Sequence, residues 1–167
     1  MRPGSLAWWA AKVRQTKRHV LARVSAPERA ALTDWLTPAQ LAVFDAMHVA
    51  DQRHGLDVVA ALRAGGMRDP EVLVAGLLHD AGKGDAGLIA RVVYSLGTAR
   101  MTWVERTVAW LPGMRPALER LRTHQETSAR IAEAAGCAPR TVELIRWQDD
   151  PRDPDAGERL RLADEAS

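Results

Sequence analysis

Cysteine, phenylalanine and tyrosine each occur once in this 167-residue chain, and no apolar run approaches the roughly 20 residues that span a bilayer. A single cysteine, Cys137, leaves no internal disulfide and no thiolate set for zinc, so any metal here must rest on histidines and carboxylates. Its position directly after Gly136 suits a small apolar filler behind a helix end. Acidic residues are missing from the first 24 positions, which carry Arg2, Lys12, Arg14, Lys17, Arg18 and Arg23. With a chain total of +2, that arm is +6 and the remainder is −4, so a basic arm precedes an acidic body. The short apolar patch at positions 6 to 11 is broken by Lys12, below the core of a signal peptide, which predicts a cytoplasmic protein. Alternating strand patterns of useful length are also lacking, which predicts an all-α chain. Its length suits one domain with a core large enough to need no staples.

What is present is helical punctuation. Residues 5 to 24 place Leu6, Trp9, Val13, Val20 and Val24 loosely on one side, with the cations elsewhere. Such a tryptophan-bearing basic helix suits either an anionic surface or the packing of its tryptophans on its own domain. Ser25-Ala-Pro-Glu28 and Thr37-Pro-Ala-Gln40 match the capping box with proline in the first turn, predicting helices at about 26 to 35 and 38 to 46. A helix over about 47 to 64 ends at Gly65-Gly66, with Met47, Ala50, His54, Val58 and Ala61 on one face and His48 off it. Segments at about 87 to 96 and 100 to 111, tryptophan-bearing and poor in charge, fit a helical hairpin, a lid or an oligomer surface. Thr123-His-Gln-Glu126 is a third capping box, followed by a helix to Ala135. A helix from Pro139 to about Asp149 follows, and then one capped by Asp153-Pro154 in which Leu160, Leu162 and Ala163 turn inward.

The chemistry concentrates in Leu73 to Asp85, LVAGLLHDAGKGD. Leu73, Val74, Leu77 and Leu78 recur at helical spacing and Gly82 and Gly84 end the run, so His79 and Asp80 stand at a helix end, half in the core. An imidazole nitrogen and a carboxylate oxygen suit a borderline or hard divalent cation. Lys83 adds a positive charge where an anion can sit. A capped helix terminus would use the same residues, with His79 on the last carbonyls and Asp80 in the turn. His54, on the preceding helix, interrupts an inward stripe and becomes a ligand candidate because the next helix ends in His-Asp. His124 takes the first position of its helix, where the dipole favours a neutral ring able to meet a metal or a phosphate.

Taken with Leu160 to Glu165, LRLADE, these residues form the order His54, His79-Asp80 with Gly82-Lys83, and Asp164. That order resembles the HD superfamily of metal-dependent phosphohydrolases over roughly Phe44 to Glu165. The resemblance implies an HD-domain-like bundle of about eight to ten helices at 44 to 167, preceded by a helical extension at 1 to 43 that carries the basic arm. It implies one divalent ion (Mn, Fe, Co, Ni, Zn or Mg, with Mg less suited to two imidazoles) held by His54, His79, Asp80 and Asp164. Asp80, Lys83 and His124 would then act on substrate, with Asp80 orienting water and Lys83 and His124 on phosphate oxygens. The implied substrate is a small phosphate ester, a nucleotide first, because no second domain serves a macromolecule.

The chain departs from the family at two positions. Gln148 stands where two-metal members carry a further histidine, which speaks against a second metal, although Asp149 and Asp150 lie beside it. Lys83 stands where the nucleoside-monophosphate branch has a glutamate, which disfavours that branch, since an ammonium is a phosphate ligand rather than a base. A non-hydrolytic HD module, binding metal or nucleotide and acting through a partner, is the alternative expectation.

Overall fold

The computed structural model describes residues 21–84, 90, 93–94 and 110–167. Among them are eight α-helices, one 3-10 turn and no strand. The helices are α1 (Ala26–Leu32), α2 (Pro38–Ala46), α3 (Val49–Ala64), α4 (Pro70–Leu78), α5 (Met114–Arg122), α6 (His124–Ala134), α7 (Pro139–Arg146) and α8 (Ala156–Ala166). The 3-10 turn, Ala81–Lys83, follows α4 closely. The all-α expectation therefore holds. The arm before Leu21 and most of the 87 to 111 region lie outside the described residues. None of the described helices is long and apolar enough to cross a membrane.

Local signals set most of the helix starts. Ser25 and Thr37 each accept from the third helical N–H, while Glu28 and Gln40 reach back to the cap N–H, as the two capping boxes require. Asp69 Oδ1 accepts from Glu71 N at 3.0 Å to open α4. His48, off the apolar stripe, caps α3 by accepting from Ala50 N through Nδ1. Gly66 and Gly136, both left-handed (φ 83° and 72°), close α3 and α6.

Three sequence expectations are corrected. The third capping box does not form, because Thr123 alone separates α5 from α6 and has φ −104°, ψ 7° rather than an extended cap conformation. Its hydroxyl donates back to Glu119 O, and Glu126 pairs with Arg130 and Arg146 instead. Leu162 is not inward but about half exposed, since residues three apart, Leu160 and Ala163, share the buried face of α8 and position 162 points away from it. Finally, α8 starts later than the Asp153-Pro154 pattern indicates, although Asp153 does accept from Asp155 N and Ala156 N.

At the centre lies α4. Every residue from Val72 to Leu78 is buried, so this helix is apolar all round rather than along one stripe. It is packed by α2, α3, α7 and α8. One apolar cluster joins Leu32, Phe44, Val58, Leu77, Ile145 and Leu160, and a smaller one joins Ala90 and Val93 to Met114, Leu118 and Leu121. Two glycines allow the close packing. A side chain at Gly76 would meet Leu62 and Val58 of α3 and Leu160 of α8, and one at Gly55 would stand 2.4 Å from Leu77 O. Leu160, 1% exposed, anchors α8 to this centre. Leu160→Ala is expected to cost about 2–5 kcal/mol in urea unfolding; a loss below about 1 kcal/mol would show that α8 docks by other means.

Candidate metal centre

Three elements converge on one point. His54 comes from the middle of α3, His79 is the residue that ends α4, and Asp164 lies near the end of α8. Their approach follows from packing, because Gly55 brings the α3 backbone against Leu77 while Leu160 seats α8 over Gly76. His54 Nε2 is 2.7 Å from Asp164 Oδ1, His79 Nε2 is 3.4 Å from the same oxygen, and the two imidazole centroids are 5.2 Å apart. One ligand atom from each of His54, His79 and Asp164 lies within 4.8 Å of the others, the one such group of three among the described residues. These residues could hold a metal ion.

Asp80 borders the group. Its Oδ1 is 3.3 Å from His79 Nε2, and its Oδ2 accepts from Lys83 Nζ at 2.5 Å. His124 Nε2 faces Asp80 Oδ1 from α6 at 3.8 Å, too long for a hydrogen bond. All six residues singled out in the sequence are thus brought into one neighbourhood. The structure divides them into a histidine–aspartate triad and a second set, Lys83 and His124, gathered around Asp80.

The histidine tautomers suit ligation. His79 Nδ1–H donates to Gly76 O at 3.0 Å, because a carbonyl can only accept, so Nε2 faces the cluster and is the nitrogen that carries the lone pair once the ring is neutral. His124 is fixed in the same way, Nδ1–H donating to Leu121 O at 2.7 Å. A backbone carbonyl holding the far ring nitrogen is the usual support for a metal-binding imidazole. Meanwhile His79 Nε2 and Asp80 Oδ1 are buried with no hydrogen-bond partner. In residues 1% exposed, these two atoms face each other at 3.3 Å as an ion pair when His79 is protonated, and both are free to accept a cation in place of that proton.

Charge coupling follows from this geometry. Burial works against a charged His79, but the carboxylates of Asp80 and Asp164 outweigh it and push its pKa up to about 9 in the metal-free protein. Burial likewise opposes ionisation of Asp164 and Asp80. The hydrogen bond from His54 and the nearby charge of His79 outweigh it for Asp164, and the charges of His79 and Lys83 do so for Asp80, so both stay well below the ordinary carboxylate range. Lys83 is raised despite its own desolvation, chiefly by Asp80, and stays an ammonium. His124 moves the other way, with burial first and then Lys83 keeping it neutral.

No family model, no curated protein and no solved structure matches this chain. The site must therefore be judged on its own chemistry. Two participants escaped the sequence. Asp51 is 4% exposed and its charge acts on Lys83; its place one turn before His54 was the available signal. Ser128, fully buried, accepts from Gly82 N–H at 2.8 Å, and nothing in the sequence distinguishes it from an ordinary helix serine. Gln148 is also buried, with its Oε1 unpartnered.

Proposed function

We propose that this chain is an HD-type metal-dependent phosphohydrolase acting on a phosphate ester of a small molecule, with nucleotides as the first class to test. The observation that carries the reading is His79: one ring nitrogen fixed on Gly76 O, the other buried, unpartnered and turned toward Asp164 and Asp80. The donor set fits a divalent ion, since two imidazoles with carboxylates suit Mn, Fe, Co, Ni or Zn, and Mg less well. His54, His79 and Asp164 would hold it, with Asp80 beside them. When bound, such an ion supplies Lewis acidity toward a phosphoryl oxygen and acidifies water.

The protein's own groups supply the rest. Asp80 Oδ1, kept ionised and lacking a partner, is an acceptor able to orient a water molecule. Lys83 brings a fixed positive charge beside Asp80, where phosphate oxygens gain charge during transfer, and neutral His124 turns a bare Nε2 to the same place, an acceptor for a phosphate hydroxyl. The buried stretch of α4 from Val72 to Leu78 backs the inner side of the site. The side chains of His54, Asp164 and Lys83, each about a quarter exposed, mark the side from which substrate enters.

Elemental analysis of chelator-free protein, combined with a screen of phosphate esters and nucleotides, tests this reading. The expected result is close to one metal per chain, lost in His79→Ala, with turnover abolished in Asp80→Ala. Hydrolysis that survives Asp80→Ala in highly purified protein overturns the site assignment. The non-hydrolytic module has one observation in its favour, the hold of Asp80 Oδ2 on Lys83, which engages the cation a phosphate would need. Stoichiometric metal without turnover across the screen would select that reading.

A further inference from the structure

The two halves of the site arrive on segments that are far apart in the chain. Asp80 and Lys83 flank the 3-10 turn after α4, while His124 opens α6. None of the three groups of the histidine–aspartate triad lies on α6, so the triad does not decide how far His124 stands from the turn. One contact does. Gly82, at the centre of the turn, lies directly against the first turn of α6. A side chain there would stand 2.5 Å from His124 O, 2.6 Å from Ser128 N and 2.8 Å from Thr127 Cβ. At this approach the Gly82 N–H loses all access to water, and its partner is the Ser128 hydroxyl at 2.8 Å, in a residue with no exposed surface. Within the turn, Lys83 N–H donates to Asp80 O at 3.0 Å, the side chains of the same two residues pair, and Ala81 packs on the main apolar cluster. The neighbouring Gly84 is left-handed at φ 56°, so the chain turns away immediately after Lys83.

We propose that Ser128 is a positioning residue: by accepting from the Gly82 N–H it sets the separation between Asp80–Lys83 and His124, and so the grip of the site on a phosphate group. The inference rests on the metal-phosphate reading above and assigns Ser128 no contact with substrate. Its physical basis is the asymmetry of buried hydrogen bonds. Removing the hydroxyl leaves a buried backbone donor unsatisfied, and the cheapest relief is for the turn to shift until Gly82 N–H meets water or another acceptor. That shift moves Asp80 and Lys83 relative to His124. It leaves His54, His79 and Asp164 in place, because these reside on α3, at the end of α4 and on α8.

Two properties should therefore separate in Ser128→Ala. The probes are Co(II), followed by its visible absorption and by metal analysis, and inorganic phosphate, titrated into the Co(II)-loaded protein. The variant should take up Co(II) to the wild-type stoichiometry and bind phosphate about tenfold more weakly, the factor expected when one buried hydrogen bond of ordinary strength is lost from a binding geometry. In the metal-free protein, the Gly82 amide should change from slow to fast hydrogen exchange by NMR while amides of α4 stay protected. Ser128→Cys, which keeps a weak acceptor at the position, should recover part of the phosphate affinity. Equal phosphate affinity in wild type and Ser128→Ala overturns the proposal, as does a protected Gly82 amide in the variant. Joint loss of Co(II), phosphate and α4 protection also overturns it, because Ser128 would then be merely structural. A wild type that takes up no Co(II) overturns the metal reading, and this inference with it. Uptake of Co(II) with unchanged phosphate binding overturns this inference alone.

Discussion

Gly55→Ala is expected to lose stability and metal together, from the addition of one methyl group. The new Cβ would stand 2.4 Å from Leu77 O and 3.2 Å from Leu77 C, both backbone atoms of the most buried helix in the molecule. A flexible side chain could rotate away from such a contact, but a backbone carbonyl inside α4 cannot. The interface must therefore open by the order of 1 Å. Overpacking of this kind costs about 1–3 kcal/mol, and more when the obstacle is backbone. His54 is the residue next to Gly55, and His79 follows Leu77 by two positions, so the same opening separates the imidazoles whose centroids lie 5.2 Å apart. The measurement is urea unfolding of the metal-free variant alongside metal analysis. A variant with wild-type metal content and unfolding midpoint would show that this close approach does not determine the site.

Metal removal carries the second large effect, and its pH dependence has a defined sign. A ligand that binds the folded chain alone stabilises it by about 4 kcal/mol when present at roughly a thousand times its Kd, an increase in Tm on the order of 10 °C for a chain of this size. Chelation should remove that increment from wild type and change nothing in His79→Ala. In the metal-free protein the raised pKa of His79, about 9 against about 6.5 in an unfolded chain, means that folding favours its protonated form. This contribution is fully present below pH 6.5 and is lost as pH rises toward 9. Metal competes with that proton, so its affinity should rise over the same interval. The chelated protein should accordingly melt lower at pH 9 than at pH 6.5, and the gap between loaded and chelated forms should widen. A gap that stays constant or narrows over this range would exclude His79 as a ligand that exchanges a proton for the ion.

Much of the secondary structure was legible because its causes are local. Ser25 with Glu28, Thr37 with Gln40, Asp69 before Pro70, and Gly66 and Gly136 each act within four residues, and each forms the cap its pattern indicates. Thr123 shows the limit of such signals. The capping-box pattern is intact, but with a single residue between two helices there is no room for the extended conformation the box requires. Leu162 shows another limit, since a run of apolar residues in α8 does not reveal which of them the neighbouring helices cover.

The site was legible as residue types, and less so as geometry. His54, His79, Asp80, Lys83, His124 and Asp164 could be named because few side chains offer metal or phosphate chemistry and because their order resembles a known pattern. Two matters were closed to the sequence: that Asp164 Oδ1 lies within reach of both imidazoles, and that Asp80 faces His79 and His124 through Oδ1 and Lys83 through Oδ2. Distance between residues 110 positions apart depends on how helices pack, and packing here turns on glycines, whose signal is the absence of a side chain.

The sequence by itself determined that the chain is helical, where most helices begin and end, and which side chains carry chemistry, because capping, periodicity and ligand type are properties of short segments. Only the tertiary structure decided that α4 is buried on every side, that Gly55 and Gly82 are sites of backbone contact, and that Ser128 serves the turn after α4. Each of these depends on what a distant segment places against the residue, a quantity that no window of neighbouring residues contains.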